Sequence, residues 1–174
     1  QTNDFKYASD ESASYLELPY GNGAFSMVIA LPHEGKAVGE VLENLDSENW
    51  NGIINNMYTV KVNVRLPRFK IECKYGMEKS ILPDMGMKVP FLDGMADFGG
   101  ISDISLFISQ VIHRTFVEVD EVGTEAAAVT VVVMQLSASV PSNPVDFIVN
   151  KPFLFAIREK STGVILFIGR VEAV

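Results

Sequence analysis

Two histidines, one cysteine and a scatter of serines and acids are the side chains here that could do covalent chemistry. A nucleophilic serine or cysteine needs a base within hydrogen-bond reach and a third group to orient that base. His33 follows Leu31-Pro32 in a loop-like stretch and reads as solvated. His113 stands in a strand-like run, where a lone histidine is an ordinary structural group. No serine sits in a Gly-x-Ser-x-Gly elbow, and the two histidines lack the cysteine or acidic spacing of a zinc site. Cys73 alternates with Phe69 and Ile71 on one apolar face and reads as an inert, buried thiol. Glu118, Asp120, Glu121 and Glu125 cluster without the glycine and ligand order of a calcium loop, so they read as a solvated strand end. The pattern is not that of an enzyme, and it asks for no metal or cofactor.

One stretch behaves oddly for a core strand: Glu121-Val122-Gly123-Thr124-Glu125-Ala126-Ala127-Ala128-Val129-Thr130-Val131-Val132-Val133. Extended, it places Thr124, Ala126, Ala128, Thr130 and Val132 on one face, which begins small and uncharged. Such a face could slide between two existing strands without a large steric barrier. Gly123 gives the backbone freedom to bend where the stretch begins. On pattern alone an ordinary buried strand after a turn also fits. Against it stand three consecutive alanines, which strands disfavour, and the Ser, Gln, Pro and Asn of Met134 to Asn143, which suit an exposed loop. A strand-prone, uncharged segment left exposed is also an aggregation hazard, so something should justify keeping it.

The elements that must position this stretch are mostly strands. Leu16-Glu17-Leu18 and Phe25 to Leu31 flank Tyr20-Gly21-Asn22-Gly23 and predict a β-hairpin. Val38, Val41, Leu42 and Leu45 recur at helical spacing, and Ser47 is placed to cap a second short helix carrying Trp50, Ile53, Ile54 and Met57. Val60, Val62, Val64 and Leu66 share one face of a half-buried strand. After Pro67 the alternation resumes in Phe69, Ile71 and Cys73, as if the chain passed to another sheet. Met77 to Met85 is a weak helix broken by Pro83, Asp93 to Gly100 a glycine-rich loop, and Phe107 to Asp120 a long strand. Phe153 to Ile157 and Val164 to Ile168 are nearly unbroken apolar runs, as in strands covered on both faces, and they predict a buried terminal hairpin.

The 174 residues, 48% apolar and 21% charged, amount to one globular domain's worth of chain without internal repeats. A net charge of −8, with lysines and arginines scattered singly, argues against a nucleic-acid partner. The longest uncharged stretch, Ala126 to Val145, is too polar in its second half to span a membrane. A single cysteine excludes an internal disulfide framework, and no targeting signal is visible.

Glu121 to Ala128 resembles the hinge signature of inhibitory serpins, and Val111 to Asp120 resembles the strand that precedes that hinge in the family. Leu66-Pro67-Arg68-Phe69, Ala96-Asp97-Phe98-Gly99-Gly100-Ile101-Ser102, Lys151-Pro152-Phe153-Leu154-Phe155 and Ile165-Leu166-Phe167-Ile168-Gly169-Arg170-Val171 also resemble serpin segments, in the right order. The resemblance implies an α+β serpin fold, of which residues 1–174 are the carboxy-terminal portion of a single domain. That portion is mostly antiparallel sheet with a few short helices, with hinge and reactive loop at about 121–145 and the amino-terminal half absent. That half would be a partner of this chain.

The function it implies is suicide inhibition: a protease attacks the loop as a substrate, and the cut loop inserts into the central sheet while the protease is held as an acyl-enzyme. The implied hinge residues are Glu121, Gly123, Thr124, Glu125, Ala126, Ala127, Ala128 and Thr130, and His113 matches the histidine of the serpin shutter. Counting from Gly123 as the family is counted puts the reactive bond at Ser137-Ala138, and counting back from Pro152 lands near Pro141, so the window is Met134 to Val140. No Arg or Lys lies there, which suits elastase-like, subtilisin-like or papain-like targets. Val122 and Val129 depart from the commoner acid and alanine. The resemblance also implies secretion or an extracellular setting, and leaves a non-inhibitory carrier or chaperone as the alternative.

Overall fold

The computed structural model describes residues 1–120 and 143–173. They form two compact units, one from Gln1–Phe69 and Val119–Val174, the other from Lys70–Glu118.

The first unit is built on a seven-stranded sheet of β1 (Thr2–Ser9), β2 (Ala13–Tyr20), β3 (Phe25–Pro32), β4 (Tyr58–Arg65), β7 (Val145–Ile148), β8 (Phe153–Glu159) and β9 (Ile165–Val171), in the order β7-β4-β1-β2-β3-β8-β9. The predicted hairpin is β2–β3, with Leu16 opposite Ile29, and its turn places Gly21 and Gly23 at φ 47° and 84°, values that glycine adopts without strain. All pairings are antiparallel except β4 with β7.

The register sorts side chains onto two faces. Ala8, Tyr15, Ala30 and Leu154 lie opposite one another in turn across four strands, as do Val28 and Ala156. Over this face lie α1 (Val38–Glu43) and α2 (Ser47–Asn56), which add Val41 and Trp50 to the same buried cluster. Both helices arise from the predicted apolar spacing, but the cap differs from expectation. Asp46 caps α2, its Oδ1 accepting the Asn49 N–H at 2.8 Å, and Ser47 is the first helical residue. A carboxylate at that position also meets the positive end of the helix dipole, which a serine hydroxyl does less well.

On the other face Leu16, Ile29, Phe155 and Gly169 line up across β2, β3, β8 and β9. The rings of Phe153 and Phe155 each lie 5.5 Å, centroid to centroid, from Phe69. Expectation of a buried terminal hairpin holds for β8, whose Phe153 to Ala156 are all buried. In β9, Ile165 to Ile168 are 37–54% exposed within this portion of the fold. β9 is the outermost strand of this seven-stranded sheet.

Among the described residues, Glu17, Ser26 and Arg158 are the polar side chains buried in this unit. Glu17, 5% exposed, accepts the Ser26 hydroxyl at 2.8 Å and faces the Lys160 ammonium at 3.6 Å. A buried carboxylate persists only when paired in this way. His33 is half-buried rather than freely solvated, because its Nε2–H donates to the Asp10 carbonyl oxygen at 3.0 Å.

The second unit carries a two-stranded sheet of β5 (Phe69–Gly76) and β6 (Ile112–Val119), joined through α3 (Ile81–Asp84) and a short 3-10 turn at Val89–Phe91. The change of sheet after Pro67 is as expected. β6 is shorter than the predicted Phe107 to Asp120, since the amides ahead of it go elsewhere: Ile108 N–H donates to the Pro90 carbonyl and Val111 N–H to Glu78 Oε2. Cys73 is half-buried rather than buried, and it interacts with Tyr75, raising that phenol above its ordinary pKa.

Candidate functional site

The predicted hinge residues Glu121, Gly123, Thr124, Glu125, Ala126, Ala127, Ala128 and Thr130, and the predicted reactive bond Ser137-Ala138 with its window, lie outside the described residues. The two ends that hold this segment are described. Its amino-terminal support is β6 in the two-stranded sheet, and its carboxy-terminal support is β7 at the edge of the seven-stranded sheet. The segment therefore joins strands of two different sheets.

β6 is fixed at its start by Glu78. That carboxylate is held below the usual range by its own backbone N–H first, then by the Val111 N–H and the nearby Lys79 charge. Met77 N–H donates to the Val111 carbonyl at 2.9 Å, closing the same junction from the other chain direction. Lys70 on β5 lies 5.0 Å over the Phe116 ring, a cross-strand cation–π contact. His113 sits on β6, exposed, and makes no hydrogen bond among the described residues.

β7 has only four residues, yet it is well anchored. Val145 lies beside Val62 and Phe147 beside Val64 in the parallel register, and Phe147 is buried. Asn63 Nδ2 donates to Asp146 Oδ1 at 2.7 Å, and Val149 N–H donates to the Arg65 carbonyl at 2.8 Å. Just beyond, Lys151-Pro152 turns the chain into β8. The Asn63–Asp146 clamp was not legible in the sequence, since the two residues are far apart along the chain and neither belongs to a recognisable motif.

No group of three or more metal-ligating side chains occurs among the described residues. Glu118 is exposed at the end of β6; Glu121 and Glu125 of the same acidic cluster fall outside the described residues. No described helix is long and apolar enough to cross a membrane.

The family model for serpins, described as serine protease inhibitors, matches residues 1–174. An uncharacterized serpin-like protein of Thermococcus kodakarensis is 42% identical over 173 residues, which is 98% of this chain and 40% of that protein. Human serpin B4 is likewise 42% identical over 180 residues, covering 99% of this chain and 45% of its own length. The crystal structure of the thermophilic serpin tengpin in its native state superposes with a TM-score of 0.81 at 36% identity, over all of this chain and 46% of that one.

The chain belongs to the serpin family, and its fold is that of the carboxy-terminal portion of a serpin. It spans rather less than half the length of these relatives.

Proposed function

We propose that this chain is the reactive-loop-bearing portion of an inhibitor that traps proteases as a suicide substrate. The observation that carries the reading is the match of the whole chain to the serpin family. Its sequence holds, between β6 and β7, a stretch beginning with small residues that resembles the hinge of the inhibitory members.

A segment tied at both ends in this way can be presented to a protease and, once cut, is free at one end. The attacking nucleophile forms an acyl-enzyme with the new carboxyl end. The hinge Glu121 to Thr130 then enters the central sheet as a strand, small face inward, and displaces the tethered protease before water can release it. About a dozen ladder hydrogen bonds at roughly 0.5–1.5 kcal/mol each would yield on the order of 10 kcal/mol. A native form that lies so far above its final state is held by a kinetic barrier. The bond attacked is Ser137-Ala138, within Met134 to Val140, and the absence of Arg and Lys there directs it to elastase-like, subtilisin-like or papain-like proteases. His113 acts in the shutter, with the remainder of the serpin domain supplying its partners. The setting is extracellular.

Full-length protein incubated with a panel of those proteases tests the reading. An SDS-stable adduct of inhibitor plus protease, with the freed carboxy-terminal peptide starting inside 135–141 by mass spectrometry, is the expected result. Cleavage without adduct would point to a carrier or chaperone, and cuts confined to other places would end the proposal.

A further inference from the structure

The first unit has a groove of about 620 Å³ between the β1–β2 turn and the α1–α2 pair. Its floor is apolar, from Ala8, Val41, Leu45 and Ile53. Its polar lining includes Asp10, Glu11 and Glu48 with Asn44 and Asn56, and no lysine or arginine. Asp10 is committed to the fold: its carboxylate accepts the Ser12 and Ala13 N–H groups and the Tyr15 hydroxyl. The side chains of Glu11, Glu48, Asn44 and Asn56 make no hydrogen bond or ion pair among the described residues.

The surroundings are charged in one sense. From Asp10 to Glu48 the sequence carries eight acidic residues against one base, Lys36; with Glu17 buried and paired with Lys160, seven of these acids are exposed. Lys36 is occupied by Glu40 at 4.0 Å. An apolar floor under an acidic, base-free rim suits a long aliphatic stem that ends in a cation, which is the build of lysine and arginine side chains. Acids on both helices, including Glu43 and Asp46 beyond the groove, extend the field past the reach of one small cation and favour a segment with several bases.

We propose that this groove docks a basic segment of a partner polypeptide. A lysine or arginine stem lies over Ala8, Val41, Leu45 and Ile53, its charge meets Glu11 and Glu48, and flanking bases meet the remaining acids of α1 and α2. This is an interaction surface separate from the 121–142 segment, and it does not depend on protease inhibition.

The test uses full-length protein and a fluorescein-labelled peptide of alternating lysine and glycine, followed by fluorescence anisotropy at low and physiological salt. The expected result is saturable binding that weakens with salt, and weakens at least about tenfold when the peptide lysines are acetylated. The Glu11→Lys/Glu48→Lys variant should lose about tenfold, whereas Asp93→Lys/Asp103→Lys, the same charge change at exposed sites in the second unit, should stay within about twofold. Ile53→Asn, which leaves the charge unchanged, should lose about threefold if the stem uses the floor. Circular dichroism confirms that each variant is folded, and Glu11→Gln/Glu48→Gln replaces the reversal should it fail to fold. Equal loss from the Asp93/Asp103 pair would reduce the effect to net charge and overturn the proposal. So would equal binding of the acetylated peptide, or no saturable binding up to about 1 mM.

Discussion

Replacing Gly169 by alanine tests how tightly β8 and β9 are matched. Gly169 lies opposite Phe155 in the β8–β9 register, and a Cβ built on it would stand 2.7 Å from Phe155 Cζ and 2.8 Å from Cε1. Carbon atoms pack at about 3.5–4.0 Å, so the shortfall is about 0.8 Å at best. The ring is poorly placed to yield, because Phe155 is buried and packs against Phe69. Overpacking of this kind costs about 1–3 kcal/mol, and replacing a strand glycine returns about 0.5–1 kcal/mol of chain entropy, leaving a net loss of about 1–2 kcal/mol. Urea unfolding of full-length Gly169→Ala should therefore show a lower midpoint with an unchanged slope. The assay is completed as a double-mutant cycle with Phe155→Leu, whose shorter side chain vacates the contested space. In that background the alanine should cost less than about 0.5 kcal/mol or even stabilise. A loss of the same size in both backgrounds, or no loss in the native one, refutes the steric reasoning.

Three further outcomes are expected. The Glu159 carboxylate is depressed to about 2 by the Thr162 hydroxyl first, then the Ser161 and Thr162 N–H groups, so any stability it lends is complete above its unfolded value near 4.5 and is lost as pH falls toward 2; Thr162→Val should raise that pKa toward 4.5 in a carboxylate NMR titration, and an unmoved value would sink the assignment. Asp46→Ala, removing the α2 cap, should cost about 1 kcal/mol in a denaturation midpoint, with Asp46→Asn nearly neutral; equal effects of the two would show that the cap bond is not the source. Thr124→Arg or Ala126→Pro should convert the proposed inhibitor into a plain substrate, read as loss of the SDS-stable adduct with cleavage retained, and an undiminished adduct yield would contradict hinge insertion.

Local pattern carried much of the fold into the sequence. The β2–β3 hairpin was legible because Gly21 and Gly23 bracket a turn between apolar runs, and the passage to a second sheet because Pro67 interrupts one alternation and Phe69 starts another. Pattern was blind to what depends on partners. β9 reads the same as β8, yet within this portion of the fold Ile165 to Ile168 are 37–54% exposed while Phe153 to Ala156 are buried. Asp46 rather than Ser47 caps α2 because the helix begins one residue earlier than a serine cap would suggest. The amides before Ile112 were read as strand, yet their acceptors are Pro90 and Glu78, which no periodicity reveals. At the candidate site, the proposed hinge rests on small side chains in alternation and lies outside the described residues, whereas the Asn63–Asp146 hydrogen bond in front of β8 depends on two residues meeting across the fold.

Parallel pairing of β7 with β4, and the placement of β8 between β3 and β9, decide what a cut in the proposed window would leave behind. Residues from Ala138 onward would become a separate polypeptide, yet β8 would remain hydrogen-bonded to β3 from Phe25↔Glu159 to Ala30↔Leu154, with Phe153 to Ala156 in the core. Peptide-bond continuity contributes little to holding such a strand, so proteolysis would turn one chain into a non-covalent heterodimer. The fragment would travel with its parent through gel filtration and part from it only in denaturant.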